Sequence, residues 1–436
     1  VGAIREDLPR RLGFTEAAAI VIGTVIGSGI FIVPNLVARH LPSPPMILAV
    51  WIFSGALSLF GALAYAELGA MMPSSGGQYA YLRAAFGPLP AFLCGWTFFL
   101  VVINAAIAWL ATTFGIYLSY FVPLSGSFRV AAAISLILAL SAINYGGVVA
   151  GARVQQVFTL AKAAGLILLV IAALASPVNY WNDTPPAGEF GAAGFGAAMI
   201  ACLLTYDGWM ALTLVAGEVK RPERNLPVAL IAGIGVCTAL YALANFAYLK
   251  VLPVAATAQA ERVASEVAGI SLGSGGSRIV TAIILVSIIG SANGWILAAP
   301  RLYFAQARDG LFFRRFGEVH PRFLTPGFSI VLQAAWAILL CVTGTYESLA
   351  SLAMFAAWIF YGITVAGVFA LRRKQPAAAR PYRMWGYPYL AWLFVAVALG
   401  FVLNTYFTAT GPALAATGII AAGVPAYFAW RRFAPQ

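Results

Sequence analysis

Ile22-Gly23-Thr24-Val25-Ile26-Gly27-Ser28-Gly29-Ile30-Phe31 decides how this chain is read. It sits inside an apolar run from Phe14 to Val37, and about 20 mostly apolar residues suffice to cross a bilayer core of about 30 Å. Two glycines flanking a serine at that depth let the backbone leave helical geometry. In lipid, every backbone group freed in this way must find a partner or face a water-filled cavity. A second interruption, Leu204-Thr205-Tyr206-Asp207-Gly208-Trp209, lies in a later apolar run.

Outward from these two segments, apolar runs recur to the end of the chain. Spans are expected near 14–37, 46–72, 87–122, 129–149, 154–176, 192–217, 228–251, 279–300, 327–343, 346–371, 387–407 and 411–430. Of the 436 residues 62% are hydrophobic and 9% charged, against about 25% charged in a soluble domain. The fold class is therefore an all-α polytopic membrane protein of twelve transmembrane helices, with no room for a soluble domain. The first run is longer than the roughly 7 to 15 residues of a signal-peptide core.

A net charge of +12 points to nucleic acid in a soluble protein, but here the distribution of Lys and Arg reads as topology. With the N-terminus inside, Arg39, Arg129, Lys250, Arg262 and Arg278 fall on the outer face and Lys162 within a span. The rest of the 26 basic residues, from Arg5 to Arg432, collect on the inner face, as the positive-inside rule requires. Both termini are thus expected in the cytoplasm of a cell whose inner membrane holds the chain, with no nucleic-acid partner. Cys94, Cys202, Cys237 and Cys341 all fall in spans, where cysteine behaves as a small hydrophobe.

Spans one and six, the interrupted ones, are corresponding members of two five-helix halves. Interrupted helices in matching positions mark an inverted-repeat transporter with its site at the midplane. The expected organisation is a single domain with repeats over about 14–176 and 192–371 and accessory helices over about 387–430. This symmetry rests on the placement of the breaks, since no residue-level repeat joins the halves. Span three, about 35 residues and roughly 50 Å, must tilt or protrude. A turn at Pro73 to Gly77 leads into a short interfacial helix carrying Tyr79, Tyr81 and Phe86. Val263, Val267 and Ile270 mark a short amphipathic helix in the loop from Pro253 to Ser277.

At Gly27-Ser28-Gly29 the unpaired N–H groups of an outer half-helix suit a carboxylate, which also meets the positive end of the helix dipole. Carbonyls freed near Val25 and Ile26 suit an ammonium. A zwitterionic α-amino acid meets both needs. Gly23 and Gly27, four apart, equally form a small-residue packing face. Asp207 is the one carboxylate expected at mid-span, where a charge costs on the order of 3 kcal/mol or more. It either caps the second half-helix or meets a substrate cation. Lys162 lies about 12 Å from the inner end of span five, beyond comfortable snorkelling, so a buried partner is expected. Trp295 follows the small-residue stretch Gly290 to Gly294 and is either packing or a cation-π contact.

These residues resemble the amino acid-polyamine-organocation superfamily, and within it bacterial relatives of the L-type amino acid transporter light chains. The resemblance runs over nearly the whole chain. It rests on Gly23 to Phe31, Pro73 to Tyr81, Arg153-Val154-Gln155 with Phe158, Thr159 and Lys162, Tyr206 to Trp209, Gly217 to Pro227 and Arg308-Asp309-Gly310. It implies a five-plus-five fold like that of leucine-type sodium symporters, working by alternating access. It also implies a carboxylate site at Ser28, Gly29 and Ile30, and an ammonium site at the carbonyls of Val25, Ile26 and Tyr206. Lys162, facing Gly23 and Ser287, matches the lysine that stands where sodium sits in sodium-coupled relatives, which implies sodium-independent exchange or uniport.

Two departures matter. Leu204 stands where many members carry an aromatic gate, and the loop from Pro123 to Phe128 lacks the cysteine that animal light chains use to bond a heavy chain, so no disulfide-linked heavy chain is expected. Asp207 and Trp295 resemble residues of dibasic and arginine carriers. The leading expectation is an amino acid permease or exchanger with a small-molecule amino acid substrate, no cofactor and no metal. A polyamine or cationic amine antiporter is the alternative. A membrane enzyme is disfavoured because His40 and His320 lie in loops and Asp207 stands alone.

Overall fold

Gly13 donates its N–H to Glu16 Oε2 at 2.8 Å, a reach-back contact that satisfies one of the orphan donors at a helix start. Helix α1 (Phe14–Val25) begins there. The computed structural model describes residues 8–181, 192–260, 262–344 and 346–433; Arg5, counted above on the inner face, lies outside them. After a break at 26–28 the chain resumes as α2 (Gly29–Ile32) and α3 (Pro34–His40), then α4 (Pro44–Met71). Proline at the first turn starts α3 and α4, where its missing N–H costs nothing.

The turn at Ser74–Gly77 delivers α5 (Gln78–Phe86), the short helix expected there. The long third run is α6 (Pro88–Thr97) and α7 (Ile103–Leu118), joined by one π-helical turn at Phe98–Val102. Asn104 Nδ2 bonds the Phe99 carbonyl at 2.6 Å and Trp336 Nε1 the Leu100 carbonyl at 3.0 Å, which satisfies backbone groups that the wider turn loosens. Then follow α8 (Gly126–Tyr145) and α9 (Val148–Ala175).

The second half opens with α10 (Ala192–Thr205), a break, and α11 (Ala211–Leu214). It continues through α12 (Pro222–Val251), α13 (Val254–Gln259), α14 (Val263–Leu272), α15 (Gly276–Ala298) and α16 (Pro300–Arg308). Two short helices, not one, fill the loop after α12. Span eight was expected to end at Pro300, yet helix resumes there as α16, because a proline at the first helical position breaks no bond. Last come α17 (Gly327–Thr343), α18 (Tyr346–Lys374), α19 (Tyr389–Thr408) and α20 (Thr410–Phe433).

Ten helical runs among the described residues are long and apolar enough to cross a membrane; Gly194–Thr205 and Gly327–Thr343 are shorter apolar helices. The chain is an all-α, polytopic membrane protein. Helix α1 packs against α9, α12 and α15 at its centre, while α9, α19 and α20 turn residues such as Leu160, Phe407 and Phe428 outward.

Gly208 adopts φ +112°, and a Cβ there would lie 2.9 Å from the Thr24 carbonyl carbon and oxygen. Gly27 has nothing nearer than 3.7 Å. Gly208→Ala is expected to cost about 1–3 kcal/mol of strain and lower the thermal midpoint by several degrees in detergent, while Gly27→Ala leaves it nearly unchanged; scanning fluorimetry of the two variants checks this.

Candidate functional site

The two breaks lie against each other. Thr24 Oγ1 donates to the Gly208 carbonyl at 2.9 Å, and a Cβ on Gly29 would meet Thr205 at 2.8 Å. Gly23 is packed instead against α9, where a Cβ would come within 2.2 Å of Gln155 and Thr159. Of the pair Gly23 and Gly27, only the first is a packing glycine; the second lines a cavity. Neither Gly27 nor Gly29 takes a positive φ. The break is made by Ile26, at ψ 86°, with the Gly27 N–H turned back onto the Val25 carbonyl at 2.7 Å.

Lys162, wholly buried on α9, answers the freed carbonyls. Its Nζ donates to Gly23 O at 2.7 Å, Ile26 O at 2.6 Å and Ser287 O at 3.1 Å, and lies 3.1 Å from Ser291 Oγ. Ser287 Oγ bonds the Ile26 and Gly27 carbonyls, each at 3.0 Å, and Ser291 Oγ those of Gly23 and Ile26 at 3.2 and 3.1 Å. An ammonium carries three protons and no acceptor, so this cage of carbonyl and hydroxyl oxygens holds the charge with every proton used. Gly290 makes room for it: a Cβ there would sit 2.9 Å from Lys162 Cε.

Two of the carbonyls expected to meet an ammonium are already hydrogen-bonded within the protein. Ile26 O already accepts from Lys162, Ser287 and Ser291, and Val25 O from Tyr241 Oη at 2.8 Å and the Gly27 N–H. A carbonyl has two lone pairs, so both are filled from within the protein. The Tyr206 carbonyl accepts no hydrogen bond among the described residues. Its ring is buried between Trp51 and Tyr241, at centroid distances of 6.1 and 5.0 Å, and the Ile30 side chain is likewise buried.

A cavity of about 260 Å³ adjoins the breaks, lined by Val25, Gly27, Ser28, Gly29, Leu204, Asp207, Ser291 and Trp295 among others. Ile26, Ile30 and Tyr206 are not among its walls. The N–H groups of Ser28, Gly29 and Ile30 donate to no backbone carbonyl among the described residues, which leaves the start of α2 with free donors beside the cavity. Asp207 Oδ1 accepts from Tyr361 Oη at 2.8 Å. Asp207 lines the cavity at the second break.

A cluster of aromatic rings packs beside Asp207. Tyr65 meets Trp209 and Tyr361 edge to face, with Tyr65 and Trp209 centroids 4.9 Å apart, while the Trp209 and Tyr361 rings are tilted by 41°. Beyond them Arg301 pairs with Glu218 at 2.6 Å, both fully buried, and Arg372 with Glu67 at 2.6 Å. The Leu12 carbonyl accepts from Lys220 N at 2.8 Å while the Glu218 carbonyl accepts from Leu12 N at 2.9 Å, tying the segment before α1 to the end of the second interrupted helix.

Comparison with known proteins decides the lineage. A family model described as amino acid permease matches residues 12–428. The chain belongs to that amino acid permease family. It is 32% identical over 433 residues to the serine/threonine exchanger SteT of Bacillus subtilis, covering 98% of each chain. It is 34% identical to the human large neutral amino acids transporter small subunit 2, over 97% of this chain and 80% of that one, and 33% identical to the human b(0,+)-type amino acid transporter 1, over 87% and 79%. These relatives are transporters and not enzymes.

Residues that the sequence did not single out bond to the two breaks. Ser291 and Tyr241 bond the broken segment directly, and Tyr361 holds Asp207. Asn293, in the same stretch as Ser291, links to Gln155 at 2.9 Å and to Asn144 at 2.9 Å. The cluster of small polar residues at Ser291-Ala292-Asn293 was the signal for both. Lys162→Met should remove the only cation in the cage and lower the thermal midpoint markedly, since a hydrogen bond from a charged group contributes about 1.5–3 kcal/mol. Unfolding monitored by tryptophan fluorescence, with or without sodium, checks this.

Proposed function

We propose that the chain is a sodium-independent amino acid transporter, a permease or exchanger that works by alternating access. Its twelve spans would form two inverted repeats, about 14–176 and 192–371, with accessory helices near 387–430. The substrate carboxylate lies at the free N–H groups of Ser28, Gly29 and Ile30, where the start of α2 also favours negative charge. The amino group turns toward the second break, where the Tyr206 carbonyl remains unbonded, and Leu204, Asp207 and Trp295 bound the side chain. The observation that carries this reading is a cavity whose walls join Ser28 and Gly29, with free N–H groups at one break, to Leu204, Thr205 and Asp207 of the other.

Lys162 takes the part of a coupling cation. Its Nζ is coordinated by the oxygens of Gly23, Ile26, Ser287 and Ser291, the kind of oxygen cage that holds a sodium ion elsewhere. A fixed positive charge there leaves nothing for sodium to supply. With the Arg-rich face cytoplasmic, the chain would be a multi-pass protein of the cell's inner membrane with both termini inside, closed toward the cytoplasm. The four cysteines are free and buried, which supports a carrier without a disulfide-linked heavy chain. The names of its relatives, a serine/threonine exchanger and a large neutral amino acids transporter among them, support small or neutral amino acids as cargo.

A second reading, a cationic amine or polyamine antiporter, draws on Asp207 and Trp295, which share the cavity wall. Competition separates the two. Reconstituted protein should show counterflow, taking up a labelled amino acid several-fold faster into liposomes preloaded with the same amino acid, and decarboxylated amines should fail to compete. Inhibition by an amine as strong as by its parent amino acid would favour the second reading. Asp207→Asn should then change the rank order among side chains, not abolish uptake of every substrate; an unchanged order would take Asp207 out of side-chain recognition.

A further inference from the structure

A second, larger cavity of about 640 Å³ opens on the Arg-rich face, away from the breaks. Three arginines from three elements line it: Arg10 before α1, Arg83 on α5 and Arg308 at the end of α16. One carboxylate, Asp309, shares the wall, and both its oxygens are taken. Arg83 Nη1 bonds Oδ1 at 2.5 Å and Tyr79 Oη donates to Oδ2 at 2.9 Å. Burial, and then the Asp309 charge, hold the Tyr79 phenol well above its ordinary range, so it stays a donor. The guanidinium groups of Arg10 and Arg308 have no acceptor among the described residues.

A cavity with two unneutralised guanidinium groups, a serine pair at Ser74 and Ser75 and an apolar wall at Met72 and Phe304 suits an amphipathic anion. Guanidinium forks match phosphate oxygens two at a time, and basic pockets at the membrane surface hold anionic headgroups. We propose that this pocket binds a phosphate headgroup, that of an acidic phospholipid, between Arg10 and Arg308. The alternative for such charges is a solvated face. Their convergence from separate elements into one concave pocket argues against it. A bound phosphate would bridge the segment before α1 to α16, and so add to the contacts that keep this face closed.

Native mass spectrometry of the full chain, purified in mild detergent and offered phosphatidylglycerol, phosphatidylcholine or soluble glycerol 3-phosphate, tests this without reference to transport. One phosphatidylglycerol should be retained per protein, at least fivefold above phosphatidylcholine, and lost on Arg10→Gln/Arg308→Gln. The charge-matched control Arg314→Gln/Arg315→Gln, outside the pocket, should retain it. Arg10→Gln alone, in a segment that starts no helix, serves if the double variant aggregates, and should lower retention at least threefold. Binding of glycerol 3-phosphate with the same loss on mutation supports the phosphate site and assigns it a soluble ligand in place of a lipid. Equal retention by the pocket and control variants would overturn the proposal, as would retention that ignores lipid charge.

Discussion

A helix interrupted inside a bilayer exposes carbonyls that no water can reach, and the structure depends on how these are capped. Lys162 and the hydroxyls of Ser287 and Ser291 cap those of Gly23, Ile26 and Gly27. Each side of this arrangement needs the other. Without the break, a lysine on α9 at this depth would be a buried unpaired charge; without the lysine, the break would be a set of orphaned acceptors, each costing about 1–3 kcal/mol. The cage fastens α1 to α9 and α15, so the position of the break is fixed by three helices.

Further consequences follow from that fixed point. With its carbonyls occupied, the first break offers the cavity donors rather than acceptors. The second break is held against it by Thr24 and Gly208, whose contact leaves no space for a side chain. Asp207 then sits at the junction, its carboxylate held by Tyr361. Tyr361 in turn belongs to the aromatic cluster with Tyr65 and Trp209. Tyr361 therefore links Asp207 in the cavity wall to this aromatic cluster.

Much of the fold was legible because lipid imposes length and apolarity on every span. The runs at 46–72 and 327–343, for example, coincide closely with α4 and α17. The end expected at Pro300 was misplaced because hydropathy does not distinguish a proline that ends a helix from one that begins the next, and the end expected at Val122 because apolar Phe121 and Val122 prolong the run past Leu118, where α7 stops. At the site, Lys162 and Asp207 stood out because charge is rare at membrane depth, and the breaks because glycine there adjoins a polar residue, at Gly27-Ser28-Gly29 and Asp207-Gly208. The filling of the Val25 and Ile26 carbonyls was not legible. It depends on Tyr241 and Ser291, residues far away in the chain whose types are unremarkable in an apolar helix. Nor did the sequence show that Gly208, rather than Gly27, is the glycine whose replacement strains the backbone. That follows only from how closely the second break approaches Thr24.

The central claim is that a lysine stands where a coupling ion would otherwise be required. Equilibrium binding of a labelled amino acid to the purified protein, titrated with sodium at constant ionic strength with choline as the balancing cation, tests it most directly. The account predicts one affinity from no added sodium to about 150 mM, because the cage around Lys162 is already full. Affinity that rises with sodium, or binding that appears only in its presence, would contradict it.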